Sequence, residues 1–302
     1  MEKNFLEIDS KLKDLLKDKI VVVTGAGSGL GKAIALGLPF AGAKVGVLDL
    51  NAKTVEEVTS KINSEFKNSA FPMVASVTDE TQLENVYNEI SAKEGFGKVD
   101  VLINCAGIAK LNSIDALTPK EIKLANDVNM NGYFLNAHFA SKQMVEKKEG
   151  SIINISSASA RSASPNSSLY GVAKEAQCMM TRSWAMDLGK HNIRVNALLC
   201  GDLFGNPELG IDSAIWNQTY FEKKAVDKGL VKPSDSRLGQ PALNKEVREI
   251  VIGHYIERTA LQKEITYKDV VSTIIMMSSP FYAKISGESI AITSGNPGSF
   301  SR

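Results

Sequence analysis

Cysteine is scarce in this chain: Cys105, Cys178 and Cys200 are the only three. An odd, widely spaced set builds no disulfide framework, and no C-x-x-C or Cys/His spacing supports a zinc site. Histidine is as rare, and His138, His191 and His254 stand in no metal-binding arrangement, so each reads as structural. No apolar run is long enough to span a bilayer, and the N-terminus lacks the apolar segment of a secretory signal. Free thiols without a leader fit a reducing cytoplasm. Excess charge is also missing: 35 Lys and Arg against 34 Asp and Glu leave a net charge of +1. No global field therefore draws in nucleic acid or an anionic membrane. Internal repeats and low-complexity linkers are absent too, which predicts one domain over 19–302.

What is present is a set of short, β-branched, apolar runs. They are KIVVVTG (19–25), AKVGVLDL (43–50), SAFPMVASV (69–77), VDVLINCAG (99–107), GSIINISS (150–157) and NIRVNALL (192–199), with ESIAIT (288–293) last. Helical segments separate them. Continuous apolar strands alternating with helices predict an α/β fold, a doubly wound parallel sheet covered on both faces. Ahead of it, Phe5, Ile8, Leu12, Leu15 and Leu16 recur at helical spacing, so residues 1–18 are expected to form an amphipathic helical extension. Residues 202–265 carry Trp216, Tyr220, Phe221 and Tyr255 without strand signals, and read as a helical lid before the last helix and strand.

The first strand runs into TGAGSGLGKAIA, with Gly25, Gly27, Gly29 and Gly31. Glycines let backbone approach a phosphate, and the helix opening near Leu30 aims free N–H groups at that anion. Strand, glycine turn and helix in this order form a Rossmann-type dinucleotide site. Asp49 ends the second strand, where a carboxylate can accept from the ribose hydroxyls and would repel the extra phosphate of NADP. Ser28, Leu50 and Asn51 offer no cation to offset that repulsion, so NAD is the expected cofactor.

Further on, SSLYGVAKEAQ (167–177) sets Tyr170 and Lys174 on one helical face. A free phenol titrates near about 10, and a neighbouring ammonium favours the phenolate. With the glycine turn, NCAG (104–107), DVNMNGYF around Asn129, and Ser157 ahead of Tyr170, the chain resembles the short-chain dehydrogenase/reductase family over residues 18–295. The resemblance implies Tyr170 as catalytic acid/base, Lys174 as its electrostatic partner, Ser157 as holder of the substrate oxygen, and Asn129 as anchor of a water relay to Lys174. It also implies cofactor contacts from Gly25, Ser28, Gly29, Leu30, Gly31, Asp49, Leu50, Ser76, Val77, Asn104, Ala106, Gly107, Tyr170, Lys174 and Leu203, with no metal. Some positions depart from the family pattern: Ser76 replaces an acidic residue, Cys200-Gly201 replaces Pro-Gly, the usual Thr after that loop is not evident, and Gly295-Asn296 replaces a final Gly-Gly. The second departure is expected to loosen the loop beside the nicotinamide.

The stretches 104–114, 197–209 and 254–293 resemble family members acting on sugar alcohols and their phosphates. That implies a polyol or sugar-phosphate substrate, and Lys110 and Arg161, each after a strand end, become candidate contacts for it beside Ser157 and Tyr170. The alternatives are an oxidoreductase for another hydroxy-carbonyl compound, including a non-phosphorylated or sulfonated sugar relative, and a non-catalytic NAD-sensing protein. The family habit of pairing crossover helices across two-fold axes, here 118–147 and 168–189, implies a homodimer or homotetramer.

Overall fold

In the computed structural model, residues 4–206, 210–213 and 215–300 are described. Seven strands form one parallel sheet: β1 Ile20–Thr24, β2 Lys44–Asp49, β3 Ala70–Val74, β4 Val101–Asn104, β5 Gly150–Ser157, β6 Ile193–Cys200 and β7 Ser289–Ile292. Their spatial order is β3-β2-β1-β4-β5-β6-β7. The order reverses between β1 and β4, and the crevice outside their carboxyl ends is where such sheets bind ligands.

Alternation along each strand divides the core into two layers. Val21, Val23, Val45, Val47, Val101, Ile103 and Ile153 face α1 (Gly29–Gly37), α2 (Ala52–Glu65) and α9 (Tyr267–Ser278). Val22, Leu48, Leu102, Ile152 and Val195 face the other way, against α3 (Glu80–Ala92), α5 (Gly132–Lys147) and α6 (Ser168–Leu188). α4 (Pro119–Asn126) is capped by Thr118 and Glu121 and runs into α5 through a wide π-turn at Asp127–Asn131.

The expected N-terminal helix is not there. Its described part is a strap of turns with one short 3-10 segment, Ser10–Leu12. Glu7, Asp14 and Asp18 take positive φ, which no helix accommodates. The apolar residues are buried nevertheless: Phe5, Leu6, Ile8 and Leu16 pack into the first core layer. Gly37 makes this possible, because a β-carbon there would lie 3.0 Å from both Leu6 and Ile8 and 2.7 Å from Val271. Leu16 N–H donates to Ala41 O at 2.7 Å, and Asp18 N–H to Gly42 O at 3.0 Å, fixing the strap along the loop before β2.

The stretch after β6 contains α7 (Gln218–Asp227) and α8 (Lys245–Ile256). It has its own apolar cluster of Phe204, Trp216, Phe221, Val247 and Val251. The Trp216 ring sits 4.7 Å from Phe204, 4.9 Å from Tyr255 and 5.0 Å from Phe221. Among the described residues no helix is long and apolar enough to cross a membrane.

Candidate active site

The glycine turn leaves β1 at Gly25, whose φ is +68°. A β-carbon at Gly25 would come 2.8 Å from Ala106 Cα, so only glycine lets the turn lie against the loop after β4. Thr24 Oγ1 fixes that loop by accepting from the N–H groups of Cys105 and Ala106, at 2.9 and 3.0 Å. Asp49, at the end of β2, accepts from Gly27 N–H at 3.0 Å and from Asn51 N–H at 3.1 Å. Its carboxylate thus lies beside the glycine turn, with exposed Leu50 next to it. Gly29 and Gly31 open α1 after Ser28, and Leu30 packs partly against the core. Ser76 spends its hydroxyl locally, 2.9 Å from Thr78 Oγ1, and Val77 packs near Gly132.

A dinucleotide fits this surface: a tight turn without β-carbons, free N–H groups at a helix start, and a carboxylate at the end of β2. Asn104 contributes differently from expectation. Its side chain turns into the interior, with Nδ2 donating to Asn154 Oδ1 at 3.0 Å, while its Oδ1 is buried without a partner. Past the end of β4, Ala106 is half-buried and Gly107 exposed.

Beside the turn, β5 delivers Ser157 and α6 delivers Tyr170 and Lys174. The Ser157 hydroxyl lies close enough to the Tyr170 phenol to favour its ionisation. Burial pushes Tyr170 up to about 12 and Lys174 down to about 8. Lys174 Nζ lies 5.5 Å from the Tyr170 ring centre and donates to Ile155 O at 2.8 Å. Asn129 is held in the π-turn by Ile108, accepting its N–H at 2.8 Å and donating to its carbonyl at 2.9 Å. Such turns recur at functional sites. A further residue, unmarked in the sequence reading, completes the group: Gln177 donates to Asn129 O at 2.9 Å. It stands i+7 from Tyr170, a spacing that could have flagged it.

Of the two candidate substrate cations, Arg161 is engaged elsewhere. Its guanidinium donates to Ser299 O at 2.7 Å and Ser289 O at 2.8 Å, clamping the C-terminal turn to β7. Lys110 lies half-exposed, 3.7 Å from Glu121 Oε1. The loop after β6 is also tighter than expected without the proline. Cys200 pairs with Ile292, and Gly201 N–H donates to Ile292 O at 2.9 Å, so β7 supplies the constraint. Leu203 follows, partly buried against the core.

Asp202 was not singled out by sequence. Burial raises its pKa, the neighbouring Trp216 side chain works against that rise, and its charge opposes ionisation of Tyr170. It lines a cleft with Phe204, Tyr255, Thr259, Glu264 and Asn296.

Sheet topology, glycine turn and the Ser157–Tyr170–Lys174 group together define an oxidoreductase built to bind a nicotinamide cofactor. The family model described as short chain dehydrogenase matches residues 19–204, and the chain belongs to that family, whose members act on CH–OH groups. Sorbitol-6-phosphate 2-dehydrogenase of Escherichia coli K12 is 30% identical over 92% of this chain and 98% of its own. The 7alpha-hydroxysteroid dehydrogenase of the same strain is 27% identical over 93% and 94%. Among solved structures, sorbitol-6-phosphate 2-dehydrogenase from Erwinia amylovora superposes with a TM-score of 0.77 at 29% identity, covering 92% of this chain and 98% of that one.

Proposed function

We propose that this protein interconverts a secondary alcohol and a ketone on a polyol or sugar derivative, with NAD as cofactor. The observation that carries the reading is the Lys174 ammonium 5.5 Å from the Tyr170 ring centre, with Ser157 delivered to the same place by the end of β5. Bound NAD supplies the hydride acceptor. Tyr170 takes the hydroxyl proton of the alcohol, or returns it to the ketone. Ser157 donates to the substrate oxygen as its charge changes. Lys174 favours the phenolate by its charge. Asp49 supports NAD over NADP, since its carboxylate flanks the turn and accepts two backbone N–H groups.

An uncharged polyol is the favoured form of the substrate. Arg161 donates to two backbone carbonyls, Lys110 is paired with Glu121, and in the cleft lined by Asp202 and Glu264 the cation Lys263 is matched by two carboxyls. The resemblance to a sorbitol-6-phosphate enzyme keeps the phosphorylated form as the competing reading. Purified protein is assayed for NADH and NADPH formation on polyols, their phosphates and sulfonated relatives. NADH formed fastest on free polyols is the expected result. Preference for a phosphate ester would reverse the substrate form, and no turnover on any member would sink the polyol reading. The chain is further proposed to act as a homodimer or homotetramer in the cytoplasm. Exposed Val172, Met179 and Met186 on α6, with Phe134 on α5, support a self-association face.

A further inference from the structure

We propose that Gln177 is a positioning residue of this site: its side-chain amide joins Lys174 to the backbone carbonyl of Asn129 directly, where the family resemblance implies a water. The inference rests on the proposed pairing of Tyr170 with Lys174. Lys174 Nζ donates to Gln177 Oε1 at 3.2 Å, and Gln177 Nε2 donates to Asn129 O at 2.9 Å. The amide orientation follows from the chemistry of its neighbours, since an ammonium only donates and a carbonyl only accepts. Gln177 is 0% exposed, Asn129 1% and Lys174 5%, so the bridge is shut off from solvent. The backbone around Gln177 is pinned as well: its carbonyl accepts from Thr181 Oγ1 at 2.9 Å, and that hydroxyl accepts from Asn154 Nδ2 at 2.9 Å.

The bridge has two consequences. Gln177 Oε1 and Ile155 O are the acceptors for the buried ammonium, so the amide favours the charged form of Lys174. The other ionisable groups around Lys174 are Cys105 beyond β4, Cys200 at the end of β6, Cys178 and Tyr170 on α6, and Tyr133 on α5. Burial pushes Cys105 and Cys200 up to about 12 and Tyr133 well above its usual range, so these three stay neutral and do not take over the role of the amide. In addition, an amide does not hand a proton onward as water does.

Two substitutions separate this role from packing. Gln177→Met keeps the volume of the side chain but removes both hydrogen bonds. Gln177→Ala opens a polar space between Lys174 and Asn129 that is large enough for a water. NMR of the protein carrying isotope-labelled lysine, with the Lys174 signal assigned by its loss in Lys174→Met, reads the midpoint without cofactor or substrate. The expected result is a midpoint lower by about one pH unit in Gln177→Met and by less in Gln177→Ala. In turnover, kcat/KM at neutral pH falls about tenfold in Gln177→Met and less in Gln177→Ala. Unchanged midpoints, or a native-like Met variant beside an impaired Ala variant, overturn the proposal, because that order is what packing alone produces. If the native protein turns over no polyol, the substrate reading fails, while the Lys174 midpoints still decide the role of Gln177.

Discussion

At the scale of single residues, the site is an exercise in burying charge usefully. Tyr170 is a poor base in these surroundings, since burial, the largest influence, together with the neighbouring Asp202 moves it up to about 12. A cation at hand and a hydroxyl partner work against that shift. Tyr170→Phe is expected to cut kcat/KM about a hundred- to ten-thousandfold, with NADH affinity, measured by fluorescence, nearly unchanged. Lys174 carries a cost to stability that can be read by pH. Its pKa is depressed to about 8 from an ordinary 10.5, so the unfolded chain holds its proton more tightly. The penalty is full below about pH 8, fades as pH rises, and is gone once the unfolded lysine is neutral. Thermal melts of native protein and Lys174→Met should therefore shift relative to each other in favour of the native protein between about pH 7 and about pH 10. A constant difference across that window would mean that Lys174 is not buried as an ammonium.

Among the elements, the N-terminal strap and the segment after β6 carry the lesson about pattern and period. Apolar spacing in residues 4–18 matches a helix, but the same residues reach the core from turns, because Gly37 leaves room for them against α1. Leu16→Ala should cost about 2–5 kcal/mol by chemical denaturation, with kcat untouched, since the strap lies away from Tyr170. A cost below about 1 kcal/mol would show the strap to be dispensable packing. The segment after β6 was legible as a stretch without strands, yet its internal cluster around Trp216 comes from residues far apart in the sequence. Asp202 escaped notice for the same reason: its meaning depends on Trp216 and Tyr170 arriving from other elements.

For the whole molecule, the open question is what covers α6. Val172, Met179 and Met186 recur along one side of the helix, and Met186 is 84% exposed. An apolar stripe of this kind on a sheet-covering helix is suited to a second copy of the chain. Val172→Glu combined with Met186→Glu should shift sedimentation to a smaller species. Native protein already sedimenting as a monomer would refute the assembly.

The sequence by itself determined the parallel sheet, the glycine turn and the pairing of Tyr170 with Lys174. Each is written in local spacing, through continuous apolar runs, glycines at a strand end, and an i, i+4 helical face. Tertiary structure alone decided the rest. It set Arg161 as a clamp on Ser289 and Ser299, and it let β7 constrain Cys200-Gly201 where the proline is missing. It also set Gln177 between Lys174 and Asn129. In each case the deciding partner comes from a separate element. A hydrogen bond acts over about 3 Å, and local spacing does not encode which distant carbonyl will lie within that reach.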